Sequence, residues 1–188
     1  MKTLIIQENG RHPENQQFRE CFSMQRALVK LGCEVVIWGL GHDNFEDKNI
    51  IKQDYDLILN LENYDVNGWS PDVSDHNCVK LLWSIDAHCR GMDPYVQTYS
   101  QGGYNKILQS TKDFLNEESV WFPNCFDDSL ICKRDIAKTK DIGFCGSLLN
   151  RAQILNFLNR YCSLEPDIWV LGEKMVDTIN SYWIHFKI

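Results

Sequence analysis

Residues 79–90, VKLLWSIDAHCR, join an apolar run to a cluster of polar side chains. The run at residues 79–85 is continuous rather than alternating, which indicates a strand buried on both faces, as in a parallel sheet covered by helices. Asp86 and His88 come directly after this run. Ligands of open α/β sheets bind beyond the carboxyl ends of the strands, so the stretch predicts both a fold class and a candidate site.

Apolar runs of the same kind recur along the first two thirds of the chain, at residues 3–6, 34–38, 56–60, 106–109 and 120–122. Residues 13–31 carry apolar side chains at helical spacing, with Pro13 suited to the first turn and Gly32 to the position after the helix end. The repeated order of strand, helix and strand predicts a doubly wound parallel sheet, Rossmann-like in the broad sense, with right-handed crossovers.

The pattern restarts after a polar and charged stretch near residues 124–140. We predict strands at residues 141–145 and 167–171, a helix that Asn150 caps, a helix at 172–181, and a third strand in the final WIHFKI. We therefore expect an N-terminal domain over residues 1–130. Residues 131–188 are expected to begin a second Rossmann-like domain, because they are fewer than the roughly 100–150 residues of a typical domain.

Composition excludes several classes of protein. The 188 residues are 44% hydrophobic and 24% charged, which is typical of a globular protein and not of collagen, a coiled coil or a disordered chain. The formal charge of −7 gives no field that attracts phosphate backbones, so we expect no nucleic-acid partner. We find no run of ~20 apolar residues and no signal-peptide pattern, so we expect no membrane span and a cytoplasmic location. The eight cysteines form no C-x-x-C pair, which disfavours a zinc ribbon and predicts reduced, buried thiols.

Two groups of polar residues follow predicted strands of the first domain. Asp86 and His88 have the chemistry of a general base with its orienting partner, or of contacts to sugar-like hydroxyls. The alternative is a helix cap and a surface histidine, and a metal site would need a third ligand that the sequence does not show. The second group either lines the same cleft or forms a turn before the first helix, and it comprises Asn9, Gly10, Arg11 and His12.

Gly146, Ser147 and Arg151 follow the first strand of the second domain. A strand, a Gly-Ser turn and a helix form the arrangement that binds phosphate, because backbone N–H groups at the helix start face the anion. Arg151 would add a charge-assisted contact, and the glycine lets the backbone approach closely. The alternative is a common Gly-Ser turn followed by a solvated arginine.

The runs KLLWSIDAHC, YNKILQST, VWFPNCFD and KDIGFCGSLLNRAQILNFL together resemble glycosyltransferases of the GT-B fold. More narrowly, they resemble the spore-maturation-protein-type group whose C-terminal domain is of the "glycosyl transferases group 1" kind. The resemblance covers about residues 78–160, and the order and spacing of the runs carry it. It implies two Rossmann-like domains with the active site between them. It also implies transfer of a sugar from a nucleotide-sugar donor to a carbohydrate or other hydroxyl acceptor, without a metal or other cofactor.

Residue by residue, the resemblance implies catalytic roles on the acceptor side for Asp86 and His88, beside an acceptor-side loop at residues 9–12. It implies that Gly146, Ser147 and Arg151 lie near the donor diphosphate. The family's later R-x-F/Y-E segment, which grips the donor, does not occur before Ile188. We therefore expect the full-length enzyme to be active and the 188-residue chain alone to be inactive. The alternatives are a non-catalytic α/β binding or partner domain and a small nucleotide-dependent α/β enzyme.

Overall fold

A computed structural model of the chain describes residues 1–10, 12–61, 68–149 and 151–186, except for the side chains of residues 89 and 90. The described residues form helices and two parallel sheets, so the predicted α/β class is confirmed. The chain divides into two compact units. The first comprises residues 1–11 and 19–125, and the second comprises residues 12–18 and 126–188.

The first unit contains a six-stranded sheet in the order β2-β1-β3-β4-β5-β6, in which every neighbouring pair is parallel. The strand order reverses direction between β1 and β3, which is consistent with the predicted doubly wound sheet. Its strands are β1 (Lys2–Ile6), β2 (Glu34–Trp38), β3 (Leu57–Leu61), β4 (Val79–Ser84), β5 (Lys106–Gln109) and β6 (Ser119–Trp121).

Both faces of this sheet are covered, which explains why its strands are continuously apolar. Successive residues of a strand point to opposite faces, so Leu4 and Ile6 enter one core while Ile5 enters the other. Helix α1 (Glu20–Lys30) covers the Ile5 face with Cys21 and Leu28 among others. The opposite face is covered partly by the short helix α2 (Ala87–Arg90) and by α3 (Asp93–Gly102).

The first predicted helix is wrong in its N-terminal third. Residues Pro13–Phe18 form a 3₁₀ segment, and α1 begins only after Arg19, whose backbone is extended at φ −67° and ψ 150°. The predicted end is confirmed, because Gly32 follows the last helical turn with φ +82°, a left-handed conformation that suits glycine at this position.

The second unit contains the parallel order β8-β7-β9, formed by β7 (Lys140–Cys145), β8 (Glu165–Asp167) and β9 (Tyr182–His185). Helix α4 (Ala152–Leu158) packs Leu155 against Phe144, and α5 (Gly172–Asn180) packs on the 3₁₀ segment through a hydrogen bond from Gly172 N to Asn15 Oδ1 (2.8 Å). The N-cap position of α4 is Arg151, one residue after the predicted cap Asn150, which lies outside the described residues.

The predicted strand at residues 167–171 is misplaced. Strand β8 ends at Asp167, and Trp169 has φ 55°, a left-handed backbone that is incompatible with a strand. Ile168 and Trp169 are exposed, so their apolar character does not report burial in the sheet.

No helix within the described ranges is both long and apolar enough to cross a membrane.

Candidate functional site

Polar residues gather at the carboxyl edge of the six-stranded sheet. Asn9 follows β1, and Asp86 and His88 follow β4, with β3 between these two strands. The residues directly after β3, at 62–67, lie outside the described part of the chain. Because all six strands are parallel, their carboxyl ends meet at the same edge, where ligands of open α/β sheets bind.

Asp86 occupies the N-cap position of α2, with φ −110° and ψ 24°. Asp86 therefore holds the position that the helix-cap interpretation gives it, while no capping hydrogen bond of its carboxylate is described. The side chain is half-buried, whereas His88, two residues later, is exposed. A half-buried carboxylate and an accessible imidazole two residues apart in sequence are the types of group that general base chemistry uses.

Buried hydrogen bonds fix the backbone that carries Asp86. Ser84 is fully buried at the end of β4 and donates its hydroxyl to Gln109 Oε1 at 3.3 Å. Ser110 donates its hydroxyl to the carbonyl of Ile85 at 2.7 Å, which joins the ends of β4 and β5. The carboxyl edge is therefore rigid at the position from which Asp86 projects.

Asn9 holds two loops together. Its Nδ2 donates to the carbonyl of Gly41 (3.1 Å), its backbone N–H donates to the carbonyl of Leu40 (2.8 Å), and its Oδ1 accepts the N–H of Gly10 (3.0 Å). The carbonyl of His12 accepts the N–H of Asn15 in a turn of the second unit. Arg11 lies outside the described residues. The structure therefore does not describe residues 9–12, the predicted acceptor-side group, as one loop.

Sequence reasoning missed Gln7, which organises this edge. Gln7 is 1% exposed, and its Oε1 accepts the N–H of Cys21 at 2.9 Å in the first turn of α1. Its Nε2 donates to Glu20 Oε2 at 2.9 Å. Gln7, directly after β1, thus accepts an N–H of the first turn of α1 that the side chain of Arg19, at the N-cap position, does not accept. The only sequence signal was an amide residue directly after an apolar run.

Gly39 and Gly41 allow the chain to pass close to Gln7 and to turn with a left-handed backbone. A Cβ at Gly39 would lie less than 3.0 Å from the carbonyl of Gln7, and Gly41 has φ +84°. His42 follows them, and its Nε2 lies 3.1 Å from the carbonyl oxygen of Gln7, to which it donates in the matching tautomer. Burial lowers the pKa of His42, so the neutral imidazole is favoured.

The structure brings Gly146, Ser147 and Arg151 together at the carboxyl end of β7. Arg151 Nη1 donates to the carbonyl of Ser147 at 3.3 Å, and the Ser147 hydroxyl accepts the N–H of Leu149 at 3.2 Å. Gly146 N–H donates to the backbone carbonyl of Asp167 on β8 at 3.1 Å. Ser147 is exposed and keeps its hydroxyl proton for donation, and the guanidinium has five N–H donors.

A second cluster beside this turn was also missed. The ring of Tyr182, from β9, lies across β7 at Gly143, and its hydroxyl donates to the carboxylate of Asp167 on β8. Lys140 Nζ donates to the same carboxylate at 2.8 Å. Burial alone would raise the pKa of Asp167, but the hydrogen bonds from Lys140 and Tyr182 lower it overall, so the group is a carboxylate. Burial and this carboxylate raise the pKa of Tyr182, so the phenol stays protonated.

Within the described residues, no group of three or more His, Cys, Asp and Glu side chains is arranged to hold a metal ion. Comparison of the chain with models of protein families, with curated proteins and with solved structures finds no match.

Proposed function

We propose that this chain is the N-terminal part of a glycosyltransferase of the GT-B fold. The enzyme acts in the cytoplasm and transfers a sugar from a nucleotide-sugar donor to a hydroxyl acceptor. The observation that supports this most is the repeated placement of polar residues in two parallel α/β units. Asp86 and His88 follow β4 of the first unit, and Gly146 and Ser147 follow β7 of the second. In both units this is the edge at which such sheets bind ligands.

Under this proposal the first unit activates the acceptor. The acceptor hydroxyl gives its proton to His88 or Asp86 as its oxygen bonds to the anomeric carbon of the sugar, while the bond from that carbon to the diphosphate oxygen breaks. A positioned general base of this kind contributes about 10²–10⁴ in rate. His88 is accessible to a substrate, and Asp86 is half-buried beside it in sequence, so the pair fits a base and its orienting partner.

The second unit stabilises the diphosphate that leaves with the electron pair. Arg151 and the hydroxyl and backbone N–H of Ser147 are hydrogen-bond donors gathered at one turn, and such donors act on charge that develops in the transition state. One charge-assisted contact contributes about 1.5–3 kcal/mol, which alone corresponds to an affinity weaker than roughly millimolar. The proposal therefore assigns most of the donor affinity to contacts other than these.

The test uses the protein at its full natural length, with UDP-, GDP- and TDP-linked sugars as donors and release of nucleoside diphosphate as the readout. His88→Ala should lower kcat by about 10²–10⁴ without a change in melting temperature. His76→Ala is the matched control, because His76 precedes β4 whereas His88 follows it, and it should leave kcat unchanged. Full turnover by His88→Ala, or no consumption of any donor by the wild type, would contradict the proposal.

A non-catalytic α/β binding domain is the second candidate. It is favoured by the loop-holding bonds of Asn9 and Arg151, whose polar atoms are used at least in part to fix backbone. Incubation with a nucleotide-sugar and an acceptor separates the two candidates, since a binding domain would bind the donor and release no nucleoside diphosphate from it.

A further inference from the structure

A cavity of about 320 Å³ opens in the first unit beside the end of α3 and the start of β5. It lies towards the amino ends of the strands, so it is separate from the carboxyl edge that carries Asp86 and His88. Two segments form it, one before β4 and one at the C-terminal half of α3. Its lining residues are Ser70, Pro71, Asp72, Thr98, Gln101, Gly102 and Tyr104.

The Tyr104 side of the cavity is held in place by close packing. Tyr104 is 6% exposed, and its hydroxyl accepts a hydrogen bond from Nδ2 of the buried Asn60 at 2.6 Å. Its ring packs on Gly102, where a Cβ would lie less than 3.0 Å from ring atoms. Burial raises the pKa of Tyr104 to about 12, so the phenol is neutral. The cavity therefore has a fixed aromatic wall rather than an adaptable one.

A buried lysine fixes the loop that follows Asp72 in the cavity lining. Lys80 on β4 is 5% exposed, and its Nζ donates to the carbonyls of Val73 (3.1 Å) and Ser74 (3.0 Å). Burying an ammonium is costly unless it is hydrogen-bonded, and both of these acceptors belong to the loop that continues from Asp72. The Ser74 N–H donates to Asp72 Oδ1 at 2.9 Å. This loop is therefore built at an energetic cost and is preorganised.

The charges of the lining favour a neutral ligand. Hydrogen bonds from Ser74 lower the pKa of Asp72, and the nearby Lys80 adds to this, so the carboxylate is ionised and its charge is partly balanced. Asp72 is the one charged residue among the described lining residues, so the described part of the lining presents no cation to a phosphate. Asp72 is exposed, so solvent screens the attraction of its carboxylate for a cationic amine, which would gain little from it.

We propose that this cavity binds a single neutral sugar ring. The Asp72 carboxylate accepts hydrogen bonds from sugar hydroxyls, and the Gln101 amide and Ser70 hydroxyl both donate and accept. Tyr104 and Pro71 supply apolar surface for the C–H groups of the ring. The volume lies at the low end of the range for small-molecule pockets, which suits one ring rather than an oligosaccharide. The site does not depend on the glycosyltransferase proposal, since it needs neither Asp86 nor Gly146.

The test is saturation-transfer and chemical-shift NMR on the 188-residue protein with glucose, galactose, mannose and N-acetylglucosamine, and with putrescine and inorganic phosphate as charged probes. At least one sugar should bind and shift resonances of residues 70–72 and 98–104. Asp72→Asn should weaken that sugar about tenfold or more, as expected for the loss of a charge-assisted hydrogen bond. Asp75→Asn, an exposed change in the same loop, is the matched control and should leave the affinity unchanged.

Gln101→Trp provides an independent variant, because it fills the cavity from α3 and should abolish binding. Melting temperatures and amide spectra of all variants establish that each one folds. Binding of putrescine or phosphate in preference to every sugar would overturn the proposal. So would sugar binding that survives both Asp72→Asn and Gln101→Trp, or no shift at residues 70–72 and 98–104 with any sugar.

Discussion

Gly143→Ala is the substitution whose effect follows most directly from the packing of the second unit. Gly143 lies in the central strand β7, and a Cβ there would lie less than 3.0 Å from ring atoms of Tyr182. The ring cannot move aside freely, because it is 2% exposed and its hydroxyl donates to Asp167. The added methyl group must therefore lift the ring off the strand or separate β7 from β9.

The cost has two parts. Overpacking of a well-packed site costs typically about 1–3 kcal/mol. Displacing the Tyr182 hydroxyl from the Asp167 carboxylate adds about 1.5–3 kcal/mol, the range for a hydrogen bond to a charged group. We expect Gly143→Ala to lower the free energy of unfolding of the second unit by about 2.5–6 kcal/mol. For a unit of this size, that corresponds to a fall in Tm of at least about 10 °C.

A double-mutant cycle with Tyr182→Ala isolates the clash. Urea unfolding followed by pulse proteolysis, with fragments of residues 126–186 identified by mass spectrometry, gives the stability of each variant. In the Tyr182→Ala background the added methyl group meets open space, so Gly143→Ala should be neutral or stabilise by up to ~1 kcal/mol. The reasoning is refuted if Gly143→Ala costs less than about 0.5 kcal/mol in the wild type, or costs the same in both backgrounds.

Three further predictions concern single side chains. Gln7→Leu keeps the size of the side chain but removes the oxygen that accepts the Cys21 N–H. The free energy of unfolding in urea should therefore fall by about 1–3 kcal/mol, and a fall of less than about 0.5 kcal/mol would contradict this. Cys21 is fully buried, and burial raises its pKa to about 12. Mass spectrometry should therefore show that iodoacetamide alkylates Cys21 at pH 8 at least ~100-fold more slowly than it alkylates the exposed Cys125. Equal rates of alkylation would refute the burial of Cys21. The fold lowers the pKa of Asp167, so the stability that its carboxylate contributes is complete above the ordinary pKa of 3.8 and is lost as the pH falls through the lower folded value. Asp167→Asn should therefore weaken the dependence of the free energy of unfolding in urea on acid pH. An unchanged dependence would count against the contacts of Asp167 with Lys140 and Tyr182.

The strands could largely be predicted from the sequence, because burial on both faces leaves a direct pattern. Residues 34–38 and 106–109 are strands at the predicted bounds. Helix α3 was not predicted, since its sequence DPYVQTYSQG is mostly polar and buries Tyr95 alone. Strand β8 was misplaced because it is three residues long and contains Pro166, whereas the apolar residues that follow it are exposed.

The candidate site was predictable as a set of positions and not as a set of contacts. Asn9, Asp86 and Gly146 follow the carboxyl ends of their strands, which an apolar run and the residue after it suffice to predict. The pairing of Tyr182 with Asp167 depends on the order β8-β7-β9 and on the missing side chain of Gly143. Strand order is set by how the helices cross the sheet, so it cannot be read from the composition of single strands.

Hydrogen exchange with and without a saturating nucleotide-sugar tests most directly whether the carboxyl edges hold the substrates. The measurement uses the protein at its full natural length, with each donor that the release assay consumes. We predict slower exchange at residues 85–88 and 146–149, which follow β4 and β7. Residues 31–33 and 54–56, which precede β2 and β3, should exchange at the same rate with and without the donor. Slower exchange confined to residues 31–33 and 54–56, or no change at either edge, would contradict the proposed site.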